Sequence, residues 1–292
     1  MMDPLGLVKL TGLMGLTSGS PDVVIGLLDG PVSTGHPDLA GGNVRSMPGN
    51  PNGVCARASD FACAHGTFVA GILSAKRGTS APAICPGCTL LVHPIFLEAG
   101  AHGGRAMPSA TPGELAAAII ACVDAGARAL NLSAALAGPS SSGFRGLSDA
   151  LDHAARRGVI IVAAAGNQGA VGSTVITRHP WVIPVVAYDG RGRPMNLSNT
   201  GMSVGRRGLG APGDGVTSLS AAGRSLASAG TSAAAPFVTG TIALLWSLFP
   251  RASAAEVKSA VTGPPGAPQR NTIVPPLLDA WAAYRSMARA RR

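Results

Sequence analysis

The chain has 292 residues, enough to bury a sizeable core in one large domain or two small ones. At 46% hydrophobic and 13% charged it is neither disordered nor a coiled coil, and its longest apolar stretch, near Trp246, is too short and interrupted to span a bilayer. The formal charge of +9 comes mostly from dispersed Arg, with one cluster at Arg285, Arg289, Arg291 and Arg292; no aromatics interleave to stack bases, which argues against a nucleic-acid partner and leaves a solvated tail or attraction to an acidic peptide.

Residues 1–22 read as an N-terminal extension. Asp3 precedes the first cation, Lys9 breaks the apolar run and no small-residue cleavage site follows, so export by this segment is not expected. Five cysteines, an odd number, do not suit a disulfide scaffold in a chain this long, and a cytoplasmic setting is expected.

VVIGLL (Val23 to Leu28) is predicted as a buried strand from its unbroken apolar character, and Asp29 ends it before Gly30. Helical spacing runs from His65 to about Lys76, TLLVHPIF is a second strand, and GELAAAIIACVDAG is a helix stopped by Gly126. The stretch from Glu98 to Gly113 reads as an inserted surface loop. ARALNLS is a third strand, LSDALDHAARRG a helix with a glycine stop, and VIIVAAAG and WVIPVVAY are further strands. A Gly-rich polar region to Ala229 leads into a long helix from about Thr231 to Phe249, followed by helices over SAAEVKSAV and PLLDAWAAYRSMARA. This alternation predicts one α/β domain over 23–284 with a doubly wound, mostly parallel central sheet flanked by helices, then a basic tail over 285–292. Ligands of such a sheet sit at the carboxyl ends of its strands.

Four polar residues fall at element ends. Asp29 has a plain reading as a turn residue before Gly30, His65 as a capping histidine, and Ser232 as the N-cap of a packed helix. Asn167 sits just past a strand end in AAAGNQG. Taken together, they put a carboxylate, an imidazole, a carboxamide and a hydroxyl at the ends where a ligand would lie. Serine is a poor nucleophile until a base takes its proton, and the base needs a carboxylate to fix its tautomer. Ser232 at a helix start also lies beside unpaired N–H groups and the positive end of the dipole, which suits a developing oxyanion.

The sequence resembles the subtilisin-like serine proteases from about Val23 to Tyr284. The marks are HGTFVAG around His65, NLSAA at Asn131 to Ala135, AAAGNQG around Asn167, GAPG at Gly210 to Gly213 and GTSAAAP around Ser232, in the order Asp, His, Ser. The resemblance implies Ser232 as nucleophile, His65 as general base and then acid, Asp29 as orienting carboxylate and Asn167 as oxyanion donor beside the Ser232 N–H. It also implies that Ser133, Ala134, Ala135, Ala165 and Gly166 line the primary specificity pocket and pair through their backbone with an extended peptide. No cofactor and no metal are implied; the segment KRGTSAPAICPGC lacks the oxygen ligands of the calcium loop in familiar extracellular members. The segment before Val23 is too short for the folding prodomain of secreted members.

Two departures stand out: Asp29 is followed by Gly30 and Pro31 rather than a hydroxyl residue and Gly, and Ala135 stands where Gly is usual. DGPVSTGHPDL and ICPGCTLLVHPIF look most like the cyanobactin-type proteases that mature ribosomally made peptides. The expected activity is therefore serine endopeptidase action on the leader of a precursor peptide. Macrocyclising transpeptidation and a non-catalytic peptide-binding role are the alternatives; the loop from Glu98 reads as short for the covering element of a macrocyclase, which favours hydrolysis. A nucleotide-binding protein is excluded by the lack of a phosphate-binding glycine motif after the first strand. Cys85 and Cys88 read as a local thiol pair or strained disulfide, Cys63 as either a cleft-side or an inert buried thiol, and His36 as a residue of the substrate-side rim or, in the favoured reading, of a surface turn.

Overall fold

The computed structural model describes residues 3–41, 43–48, 55–96, 110–133, 145–263 and 270–291. Two short helices, α1 (Pro4–Leu7) and α2 (Leu10–Leu16), precede β1 (Val24–Asp29), which is buried along all but its first residue. The chain continues through β2 (Val44–Ser46), α3 (Phe61–Ser74), β3 (Thr89–Pro94), α4 (Pro112–Asp124), β4 (Ala129–Leu132), α5 (Arg145–Arg156), β5 (Ile160–Ala164), α6 (Val175–Arg178) and β6 (Ile183–Tyr188). It ends with α7 (Met202–Arg207), β7 (Leu209–Pro212), β8 (Val216–Leu219), β9 (Ser225–Ser228), α8 (Thr231–Leu248), α9 (Ala254–Thr262) and α10 (Ala280–Arg289).

Seven strands form one sheet in the order β2-β3-β1-β4-β5-β6-β7, every pairing parallel, so the expected architecture is present. Parallel strands need crossovers, and these lay helices on both faces. Alternate strand residues serve opposite layers: Ile25 and Leu27 join the core under α3 and α8, while Leu28, Leu130 and Leu132 join the one under α4 and α5. Helix α8 is apolar on nearly every side, as a helix enclosed by its neighbours must be, and touches β4, β5, β6 and β7. Among the described helices it is the one long and apolar enough to cross a membrane, and most of it is buried inside the protein.

Three expectations shift. The helix bearing His65 begins at Phe61, because the Asp60 side chain accepts from the Ala62 N–H and caps it four residues earlier than the periodicity suggested. The Gly-rich polar region contains α7, β7 and the antiparallel β8–β9 hairpin, elements too short for a periodic signal. The boundaries expected at residues 22 and 284 fall in packed structure: Val8, Leu10 and Leu13 are buried in the main core, and α10 runs unbroken through Arg285 to Arg289. Arg291 lies over the Phe249 ring. Of the expected loop from Glu98, residues 98–109 lie outside the described residues, while Thr111 caps α4 and Gly113 is in its first turn.

Candidate active site

The central strand β1 delivers Asp29 at its carboxyl end, fully buried. A Cβ on Gly30 would overlap the carbonyl oxygen of Ala62, and one on Gly66 would overlap the carbonyl oxygen of Gly30. Backbone-to-backbone contact between the end of β1 and α3 is therefore possible only with glycine at both places, and it is this contact that sets His65 against Asp29. The His65 Nδ1–H donates to Asp29 Oδ1 at 2.6 Å, and the Ser232 hydroxyl lies 3.0 Å from His65 Nε2. The three groups thus form one line, as the motifs implied.

Asp29 Oδ1 also accepts the Gly30 N–H at 2.6 Å, whereas Oδ2 is buried and has no partner among the described residues. The local sequence accounts for this: Gly30 has no hydroxyl and Pro31 has no N–H. Burial pushes the His65 imidazole down, but the charge of Asp29 and the hydrogen bond to it more than offset this, leaving its pKa raised.

Ser232 occupies the first turn of α8, where its N–H has no carbonyl one turn earlier to bond. Gly230, at φ +132°, turns the chain into that helix. Thr231 then fixes Asn167: its N–H and hydroxyl both donate to Asn167 Oδ1, at 2.9 and 3.0 Å, and its hydroxyl oxygen accepts the Gly166 N–H at 3.1 Å. With its oxygen held twice, the Asn167 carboxamide has Nδ2 as its free end, which makes no hydrogen bond among the described residues. Sequence reasoning passed over Thr231; the hydroxyl beside the expected nucleophile was the available signal.

The peptide-pairing expectation needs correction at Ala165 and Gly166. Ala165 donates to Val185 and accepts from the Asn199 side chain, and Gly166 donates to Thr231 and accepts from the Asn199 N–H. Their backbone groups are spent inside the protein and cannot add an extended peptide. Ala165 instead lines a pocket of about 160 Å³ with Gln168, Ala170, Val171, Thr174, Thr177 and Val204. Ser133 lies just past β4, its N–H on the Leu28 carbonyl and its hydroxyl accepting from Asn131, whose Oδ1 accepts from Thr239 of α8. Ala134 and Ala135 lie outside the described residues.

Cys63 is neither a cleft-side nor a free buried thiol: it forms a disulfide with Cys55. Cys85 and Cys88 are free and buried, with Cys85 held above and Cys88 below the usual thiol range by their mutual hydrogen bond. His36 is buried rather than at the surface, and its Nδ1 accepts the Asp38 N–H within the turn. No cluster of three or more His, Cys, Asp or Glu placed to hold a metal occurs among the described residues.

An imidazole bridging a buried carboxylate and a hydroxyl, with a free carboxamide N–H close by, can activate the oxygen for attack on a carbonyl and hold the resulting oxyanion. Among known proteins, the chain is 32% identical over 232 residues to a thermophilic serine proteinase of Bacillus sp. (strain AK1), spanning 79% of this chain and 53% of that protein. It is 29% identical to subtilisin DY of Bacillus licheniformis, spanning 82% and 81% of the two. Among solved structures it superposes on the protease domain of PatA with a TM-score of 0.82 at 30% identity, covering 93% of this chain and 97% of that one. The prenylagaramide maturation protease PagA gives a TM-score of 0.80 at 26% identity, covering 95% and 98%. The PatG macrocyclase in complex with peptide, at 21% identity and a TM-score of 0.79, shares the fold. The Peptidase S8 subtilase family model matches residues 20–263, so the chain belongs to the subtilase family.

Proposed function

We propose that the chain is a serine endopeptidase that works through a Ser232 acyl-enzyme and processes the leader of a ribosomally made precursor peptide. The observation that carries this reading is the continuous line from Asp29 through His65 to Ser232, at 2.6 and 3.0 Å, with Asn167 held by its Oδ1 to the adjacent Thr231. His65 Nε2 takes the Ser232 proton as Oγ attacks the carbonyl carbon. Asn167 Nδ2 and the Ser232 N–H donate to the oxyanion, and Asp29 stabilises the imidazolium. His65 then gives its proton to the leaving nitrogen as the C–N bond breaks. Water repeats the sequence against the ester and frees Ser232.

The pocket beside Ala165 adjoins the oxyanion donor along the chain and is lined mainly by small and apolar side chains, so an uncharged, apolar residue is expected to supply the attacked carbonyl. Precursor processing is supported by the likeness to PatA and PagA, the second of which is named as a maturation protease. The formal charge of +9 suits an acidic peptide partner. A cytoplasmic setting is part of the reading; the Cys55–Cys63 disulfide is the feature against it, because such bonds persist in oxidising compartments. Trapping thiols during isolation from the cytosol decides that point.

Reaction with a fluorophosphonate tests the chemistry: an adduct on Ser232 that disappears in His65→Ala supports the enzyme, and a folded protein that takes no label is a binding module. With precursor peptides as substrate, linear products distinguish hydrolysis from cyclisation, the two differing by one water in mass.

A further inference from the structure

Phe61 is the first residue of α3 and lies one helical turn before His65. Its ring stacks on the imidazole, with centroids 5.9 Å apart and planes 26° from parallel, yet 53% of the residue is open to solvent. An aromatic ring so exposed gains little from folding, and the helix does not need it for capping, because Asp60 supplies that. The turn that carries it is nevertheless firmly held. The Asp60 side chain closes the first turn, and the Cys55–Cys63 disulfide ties the preceding segment to the helix two residues further on. A first turn is where a helix otherwise frays.

The peptide chemistry says what such a platform meets. Successive side chains of an extended peptide point to opposite sides. Ser232 stands between His65 and Asn167, which is bonded to the adjacent Thr231 and is followed along the chain by the pocket-lining Gln168. If the residue whose carbonyl is attacked turns its side chain to the Asn167 side, the residue before it turns to the His65 side, where Phe61 is stacked on the imidazole. We infer that Phe61 is a specificity-determining residue, an aromatic wall that selects an apolar or aromatic side chain, or a proline ring, at the substrate position immediately before the attacked residue. The inference rests on the peptidase reading above. An apolar side chain laid across Phe61 removes both surfaces from water and covers the exposed face of His65, whereas a carboxylate or ammonium there would lose hydration without gaining a partner. The contact also helps keep water from the imidazole while the acyl-enzyme forms.

The test uses the full chain and peptides that differ only at that position, carrying Leu, Phe, Pro, Ser or Asp. The wild-type protein is expected to favour Leu, Phe and Pro over Ser and Asp in kcat/KM. Phe61→Ala should lower kcat/KM for those three about tenfold, as expected for one lost apolar contact, and leave the Ser peptide within about twofold. Phe61→Tyr should keep the wild-type order, which a merely structural loss would not explain. Fluorophosphonate labelling at Ser232 is measured in all three proteins and shows that each is folded with its nucleophile in place. An unlabelled wild-type protein sinks the peptidase reading itself. Normal labelling with an unchanged peptide preference in Phe61→Ala, or a preference lost instead at the residue after the scissile bond, overturns the role given to Phe61.

Discussion

At the scale of single residues, the site divides into groups that act in the reaction and groups that hold them still. Asn167 is assigned to the first set through its Nδ2, which Thr231 leaves as the free end of the carboxamide by occupying Oδ1 from two donors. Replacing Asn167 by Leu is expected to lower kcat about 10²–10³-fold with little change in KM, measured on a peptide substrate, because the lost hydrogen bond exists mainly in the transition state. His65 must be neutral to accept the serine proton, and its pKa is raised above the 6.5 of an ordinary imidazole. Activity should therefore fall as pH drops, with a midpoint in kcat/KM above 6.5. Asp29→Asn removes both raising influences and leaves burial, which lowers, so the midpoint should move down while kcat falls about 10⁴-fold. Asp29, His65, Asn167 and Ser232 were all legible in the sequence because each sits in a short motif whose neighbours are dictated by close backbone approach. Thr231 and Phe61 were not, since a hydroxyl or an aromatic ring at a helix start is common and only coordinates say what it touches.

The elements explain why those motifs are rich in small residues. β1 and α3 meet through Gly30 and Gly66 with no side chain between them. Gly30→Ala should push the two apart, costing at least about 1–3 kcal/mol of stability by denaturant unfolding and nearly all activity, as the Asp29 to His65 distance opens. A substitution at Gly113, where a Cβ would meet nothing nearby, is the control and should leave activity unchanged. Buried elements were readable as nearly continuous apolar runs, including α8 and the strands β1, β4, β5 and β6. The start of α3 was not, because its first turn holds the half-exposed Phe61 outside the apolar pattern and the cap at Asp60 is a single side-chain contact. The hairpin β8–β9 escaped for a different reason: its strands are four residues each and alternate only partly between buried and exposed positions.

For the whole molecule, the parallel sheet and its two layers were foreseeable from the alternation of strand and helix, and the cysteine arrangement was not. An odd count argued against a disulfide scaffold, yet two of the five cysteines pair and three stay free, all three buried. The folded protein is expected to react with no thiol reagent, the unfolded one with three equivalents, and the unfolded and reduced one with five, by titration. Cys122 supports the first value, since burial pushes its thiol up to about 12. The partners of His65 stand 36 and 167 positions away in the sequence, and Ser232 opens the very helix, α8, that fills the middle of the core. Proton transfer along that line therefore requires that these distant segments be brought together by the fold. A half-made chain leaving the ribosome already carries Asp29 and His65 but not yet Ser232, so it cannot attack its siblings, and self-digestion before residue 232 is made is prevented by chain order alone.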